Sequence, residues 1–264
     1  MARIERLFIY PVKSCAPVEV QSMQLDALGP VGDRRFMLVN EQGKFLTQRQ
    51  LPAMARIEAQ WFGGELQLSW PGQSRFSVSM RDERCDVEVW GDVVSARLAA
   101  DDTHSALSDF LGRACRLVQM DEQSQRAVAQ EYVGSVERQV GFADGFPLLV
   151  VNQASVDFLS ERLGREIDVR RFRPNVVIND PNFSPLEENQ WRSLSIEGGS
   201  IDLVKLCTRC VIPTRDLTTL EREADFLDVL KNDCRVDGKI VFGQNGLHRN
   251  ITSLSVGQAA TVVR

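Results

Sequence analysis

Residues Asp86-Val87-Glu88-Val89-Trp90 alternate charged with apolar side chains. A period of two puts Val87 and Val89 on one face and the carboxylates on the other, the pattern of a half-buried β-strand. Similar short runs fill the first hundred residues, at 6–10, 18–25, 35–40, 65–70 and 76–80, with breaks at Gly63-Gly64 and Pro71-Gly72. Helical spacing is scarcer. Residues 101–111 form a helix in which Leu107 and Leu111 lie four apart, Asp102 or Thr103 supplies the cap and Gly112 the stop. Residues 153–163 form a second, capped by Asn152, with Val156, Leu159 and Leu163 on one face and Gly164 after it. A short third helix covers 224–231. Strands are expected at 148–151, 175–178 and 200–206, and strand-like residues at 251–263 close the chain. The polar stretch from about 120 to 140 reads as a connector or mobile loop. The expected class is α+β, predominantly β: barrel-like sheets with peripheral helices, not a doubly wound fold.

Composition sets the limits of function. The chain has 264 residues, Lys+Arg 31 against Asp+Glu 36, a net charge of −5, and 43% hydrophobic residues. That is enough apolar material for a core without disulfide or metal staples. The acidic balance argues against a protein that binds a nucleic-acid polymer through bulk positive charge. The N-terminus lacks a signal-peptide pattern, and the longest apolar run, 146–151, is far short of a membrane span. The expectation is a soluble cytoplasmic protein with no membrane contact.

The cysteines are Cys15, Cys85, Cys115, Cys207, Cys210 and Cys234, too sparse for a disulfide framework. Cys207 and Cys210 form a lone C-x-x-C, and His104 and His248 have no partner nearby in sequence, so a zinc site is weak. No C-x4-C-x2-C run, phosphate-binding glycine loop, nucleophile elbow or H-E-x-x-H is present.

Four segments put basic or thiol groups at strand ends or turns. Tyr10-Pro11-Val12-Lys13-Ser14-Cys15 leaves a strand after an extended Tyr10. Lys13 is either a solvated loop lysine or part of a site. In Gly32-Asp33-Arg34-Arg35-Phe36, strand alternation turns one arginine inward, where it needs a salt bridge or a ligand anion. In Arg170-Arg171-Phe172-Arg173-Pro174-Asn175, three arginines crowd together, either as a basic surface face or around an anion, and Pro174 predicts an extended Arg173. In Cys207-Thr208-Arg209-Cys210 the arginine favours a thiolate. The residues alone leave several readings open: a redox dithiol, zinc, a single thiolate on a soft metal carried by an organic cofactor, or inert cysteines.

Taken in order, these segments and Phe242-Gly243-Gln244-Asn245 resemble the landmarks of the MOSC family. The likeness is to two-part proteins with an N-terminal MOSC-associated barrel followed by the MOSC domain, and it runs from Tyr10 to Ser255-Val256-Gly257. It implies parts at 1–118 and 119–264, which can intertwine, with a molybdenum cofactor (Mo-molybdopterin) between them. It implies Cys210 as the catalytic metal ligand and Cys207 as a neighbour. Lys13, Ser14 and Arg34, then Arg173, Asn175 and Arg209, match cofactor-binding positions, and Asp144 lies near the cofactor in relatives.

The subgroup includes amidoxime-reducing components and bacterial proteins that detoxify N-hydroxylated bases, so the implied reaction is N–OH to N–H with release of water. Pyridoxal phosphate is not required. The chain ends at Arg264 with no iron–sulfur cluster of its own, which implies a separate electron-transfer protein of ferredoxin or flavin reductase type. Pro213-Thr214-Arg215-Asp216 departs from relatives, with no later Pro-x-Thr-Gly turn. MOSC domains also end cofactor sulfurases, so the alternative is a cofactor-binding or sulfur-carrier protein without N–OH turnover.

Overall fold

The structure is a computed structural model describing residues 1–134 and 137–264. The chain divides into two compact units. One comprises Met1–Phe8, Glu19–Val31 and Phe146–Arg264; the other comprises Ile9–Val18 and Gly32–Gly145. Among the described residues strands dominate, and α-helices lie at Asp101–Leu111, Gln153–Leu163 and Ala224–Asp233. The class is α+β, predominantly β, as expected.

The unit holding Gly32–Gly145 is built on an antiparallel sheet in the order Phe36–Val39, Arg116–Gln119, Asp92–Ala99, Met80–Val89. Phe36–Val39 is buried along its whole length, and alternation divides it between two cores. Phe36 and Leu38 pack with Val12, Met54, Leu107 and Leu117. Met37 and Val39 pack with Val87, Val89, Val94, Val118 and Phe142. Each such side chain contributes roughly 1.5–3 kcal/mol through burial. Val87 and Val89 are buried together, as their alternation requires. A three-stranded meander, Glu58–Phe62, Glu65–Trp70 and Gln73–Val78, adds Ala59, Leu66 and Leu68 to the first core.

Helix Asp101–Leu111 buries Leu107 and Leu111 and stops at Gly112, φ 63°. Its start differs from expectation. The N-cap is Ala100, which has no side-chain bond to offer. Asp102 and Thr103 lie inside the first turn, where the carboxylates of Asp101 and Asp102 suit the helix dipole instead.

The other unit carries a sheet in the order Ala260–Val263, Ser193–Ile196, Gly199–Thr208, Lys239–Arg249, Leu148–Asn152, Val176–Asn179, Arg3–Ile9, Val18–Val20. Leu148–Asn152 and Val176–Asn179 run parallel, so their connection must cross over, and helix Gln153–Leu163 lies in it. Asn152 caps that helix by accepting from the Ala154 N–H at 3.1 Å. Val156 and Leu159 are buried, Leu163 only partly, and Gly164 ends the helix at φ 64°. Gly243 has φ 73°, and a Cβ there would meet the Val150 carbonyl oxygen at 2.6 Å. Only glycine lets strand Lys239–Arg249 approach so closely.

Several boundaries correct the sequence reading. Segment 18–25 is two strands, Val18–Val20 and Ser22–Asp26. Segment 76–80 splits after Val78, and Met80 opens the next strand. Segment 251–263 holds two strands, Ser253–Ser255 and Ala260–Val263. The polar stretch 120–140 is tied to its unit: Arg126, Val128, Val133 and Val140 are buried, and Ala127 bridges Gln139. Ser135 and Val136 of that stretch lie outside the described residues. Arg173 is left-handed, φ 58° and ψ 45°, not extended before Pro174.

Candidate functional site

The first two basic segments are laced together within one unit. The Tyr10 N–H donates to Asp33 Oδ1 at 2.8 Å, the Arg34 N–H to the Tyr10 carbonyl at 2.7 Å, and the Lys13 N–H to the Phe36 carbonyl at 2.8 Å. Ser14 and Arg34 have left-handed backbones, φ 64° and 47°. For residues other than glycine this costs about 1–2 kcal/mol each, and such strain concentrates at functional positions. Asp33 meets the Arg34 guanidinium with both carboxylate oxygens, and the guanidinium lies over the Tyr10 ring, 4.1 Å from its centroid. The salt bridge that a turn arginine needs is therefore internal.

Lys13 is buried, and its Nζ donates to the Phe142 carbonyl at 2.8 Å and to Asp144 Oδ1 at 2.5 Å. Burial pushes its pKa down, Asp144 works against that, and the nearby Arg126 and Arg34 add to the lowering. Asp144 also accepts from the Trp90 indole N–H at 3.0 Å. Desolvation by the neighbouring protein opposes its charge, although the side chain itself is exposed; Lys13, Trp90 and Arg34 outweigh that and hold the carboxyl well below the usual range. Lys13, Ser14, Arg34 and Asp144 thus belong to one polar cluster, in which Asp144 balances Lys13 and Asp33 balances Arg34.

The remaining candidates lie in the other unit. The arginine cluster is largely neutralised by its own carboxylates. Arg170 pairs with Asp168, and Arg171 pairs with Asp216 at 3.0 Å and with Glu223. Asn175 is buried inside the sheet: its side chain accepts from the Leu149 N–H at 3.2 Å and donates to the Phe8 carbonyl at 3.1 Å. Arg209 follows strand Gly199–Thr208. Its Nε donates to the Phe242 carbonyl at 2.9 Å, and its guanidinium lies over Phe172, which stacks on Phe242 with centroids 3.9 Å apart. One terminal nitrogen, Nη2, is buried with no hydrogen-bond partner, an arrangement that calls for an acceptor.

None of the six cysteines is in a disulfide. Cys207 is half-buried near the strand end, while Cys210 is exposed, and its sulfur accepts from the Ile212 N–H at 3.5 Å. Landmark residue Gln244 has an architectural role: its amide donates to the Trp191 carbonyl at 2.8 Å and to that of Glu188.

Comparison with known proteins places these segments. The MOSC N-terminal beta barrel domain matches residues 1–114, and the MOSC domain matches residues 137–261. The chain belongs to the MOSC family. It is 28% identical to the mitochondrial amidoxime reducing component 2 of Bos taurus over 82% of this chain and 67% of that one. It is 28% identical to the mitochondrial amidoxime-reducing component 1 of Mus musculus, over 96% and 80%. It is 30% identical to the molybdenum cofactor sulfurase of Danio rerio over 96% of this chain, but spans only 33% of that protein's length.

In this MOSC protein, sequence reasoning missed two residues of the Lys13–Asp144 cluster. Arg126 is buried and binds Asp92 at 2.8 Å, the Gly141 carbonyl at 2.9 Å and the Ala143 carbonyl, which fixes the segment carrying Asp144. It sits in the polar stretch with nothing local to distinguish it. Trp90 is half-exposed, with φ 55° at a hairpin tip. Its neighbour Gly91 announces the turn but not the indole bond to Asp144. Among the described residues, no helix is long and apolar enough to cross a membrane.

Proposed function

We propose that this protein is a molybdenum-cofactor-dependent reductase of N-hydroxylated compounds, receiving electrons from a separate protein of ferredoxin or flavin reductase type. The balance is N–OH plus two electrons and two protons to N–H plus water. The observation that carries the reading is the exposed Cys210 thiol following Arg209, whose buried Nη2 lacks an acceptor. A thiolate suits a soft metal, and an arginine donor suits the anionic pterin end, so the residues fit the group.

Cys210 would hold the metal, and Lys13, Ser14, Arg34, Arg173, Asn175 and Arg209 the organic part. The cofactor supplies two-electron chemistry and removal of oxygen. The chain supplies charge and position. The Ile212 N–H donates to the Cys210 sulfur and orients it, and the Phe172–Phe242 stack and the Phe242 carbonyl hold the Arg209 guanidinium in place. Lys13 and Arg34 are the cationic donors, balanced by Asp144 and Asp33 respectively.

The test is to purify the protein from a cofactor-competent host, measure molybdenum and pterin, and assay reduction of an N-hydroxylated purine with an artificial donor. Both should be present near stoichiometry. Cys210→Ala should abolish turnover, and Cys207→Ala should leave much of it. Well-folded protein without metal and pterin sinks the proposal; equal loss in both variants overturns the ligand assignment. The sulfurase likeness favours a second reading, a cofactor-binding or sulfur-carrier role. Persulfide on Cys210 without turnover would select it.

A further inference from the structure

The loop after Cys210 holds an arrangement that the proposed function leaves unused. Arg215 and Arg222 are directly opposite each other across an antiparallel bridge. Residues so paired present their side chains on the same face, where like charges repel. Neither has an ion-pair partner among the described residues. Arg215 Nη1 donates to the Leu220 carbonyl at 2.6 Å, while its Nε is buried without an acceptor. Burial and then Arg222 push the Arg215 pKa down.

The carboxylates that could relieve the pair face elsewhere. Asp216 and Glu223 each directly follow one of the arginines in sequence, and both bind Arg171. Asp216 also accepts from the Thr218 and Thr219 N–H groups at 2.9 and 2.8 Å. Successive residues in an extended pair alternate faces. Arg171 thus fastens one face of the hairpin and leaves two arginines together on the other.

We infer that Arg215 and Arg222 form a binding site for an oxyanion, phosphate or carboxylate, carried by the substrate. Two arginines opposite each other on one face of the bridge and a buried Arg215 Nε–H without an acceptor are the donor set that such a group satisfies. The pair lies in the same unit as Cys210 and begins five residues after it along the chain, which is the ground for assigning the anion to the substrate. The substrate role rests on the proposed reductase function; the anion binding itself does not.

The experiment uses the protein as purified from a cofactor-competent host. Isothermal titration with adenosine monophosphate, inorganic phosphate and benzoate separates the two oxyanion classes. Saturable binding of at least one is expected, weakened about tenfold or more in Arg222→Met, in line with loss of a charge-assisted bond, and unchanged in the surface control Arg75→Met. In the reductase assay, the KM ratio between a neutral N-hydroxylated base and its nucleoside monophosphate, or a carboxylated amidoxime, should shift toward the neutral substrate by the same factor in Arg222→Met. Absence of saturable anion binding, or equal binding in wild type and Arg222→Met, overturns the inference even if the reductase is active. Arg222-dependent binding in a protein that reduces nothing leaves the anion site standing and refutes the reductase function.

Discussion

Replacing Glu188 by glutamine should remove a pH dependence of stability that the structure builds in. Glu188 is fully buried, with the Ser155 hydroxyl donating to one carboxylate oxygen at 2.6 Å and nothing donating to the other. Burial raises its pKa from 4.5 to about 7, against the opposing bonds from Ser155 and Asn152. A carboxyl with a raised folded-state pKa favours the fold while it is protonated in both states, below its unfolded value near 4.5. As pH rises toward 7 the unfolded chain ionises first, and stability falls by about 1.4 kcal/mol per pH unit. Over the whole window the loss is about 3 kcal/mol, roughly a 6–12 °C fall in Tm for a body of this size. Thermal melts at pH 5 and pH 8 of wild type and Glu188→Gln test this. The wild type should lose about 2.5 kcal/mol more than the variant between pH 5 and pH 8, because the first part of the fall already lies below pH 5. Equal shifts in the two proteins would refute the argument that Glu188 is protonated in the fold.

Further outcomes can be checked by similar means. Arg126→Met strips the buried carbonyls of Gly141 and Ala143 of their charged donor; Tm should fall by the equivalent of about 2–3 kcal/mol, with faster proteolysis near residue 141. Gly243→Ala forces a Cβ onto the Val150 carbonyl at positive φ and should cost more than about 2 kcal/mol, read as a Tm drop or loss of soluble protein. Ser14→Gly relieves a left-handed backbone by about 1 kcal/mol; Tm should hold or rise while bound pterin falls, separating binding from stability. Iodoacetamide at pH 8, followed by peptide mass spectrometry, should label exposed Cys210 first and leave Cys234 untouched, since burial pushes that thiol up to about 12.

Helices Asp101–Leu111 and Gln153–Leu163 and strand Glu65–Trp70 were legible to the residue, because apolar spacing and a terminal glycine or cap act within a few positions of each other. Strand Lys239–Arg249 was not. It is a central strand whose Gly243, Gln244 and Asn245 look like loop residues until their partners, the Val150 region, the Trp191 carbonyl and the Lys205 carbonyl, are seen.

The sequence by itself determined the predominantly β class, through periodicity, and which arginines, lysine and thiols stand out; the family came from the resemblance of the ordered motifs. Only the tertiary structure decided what each charge faces. It gave Arg34 to Asp33, Arg171 to Asp216 and Glu223, and Lys13 to Asp144 through a segment clamped by Arg126. It also overrode the local rule at Pro174 by holding Arg173 left-handed. Ion pairs depend on distances set by chain segments remote in sequence, and a strained dihedral persists only where the surrounding contacts outweigh its cost.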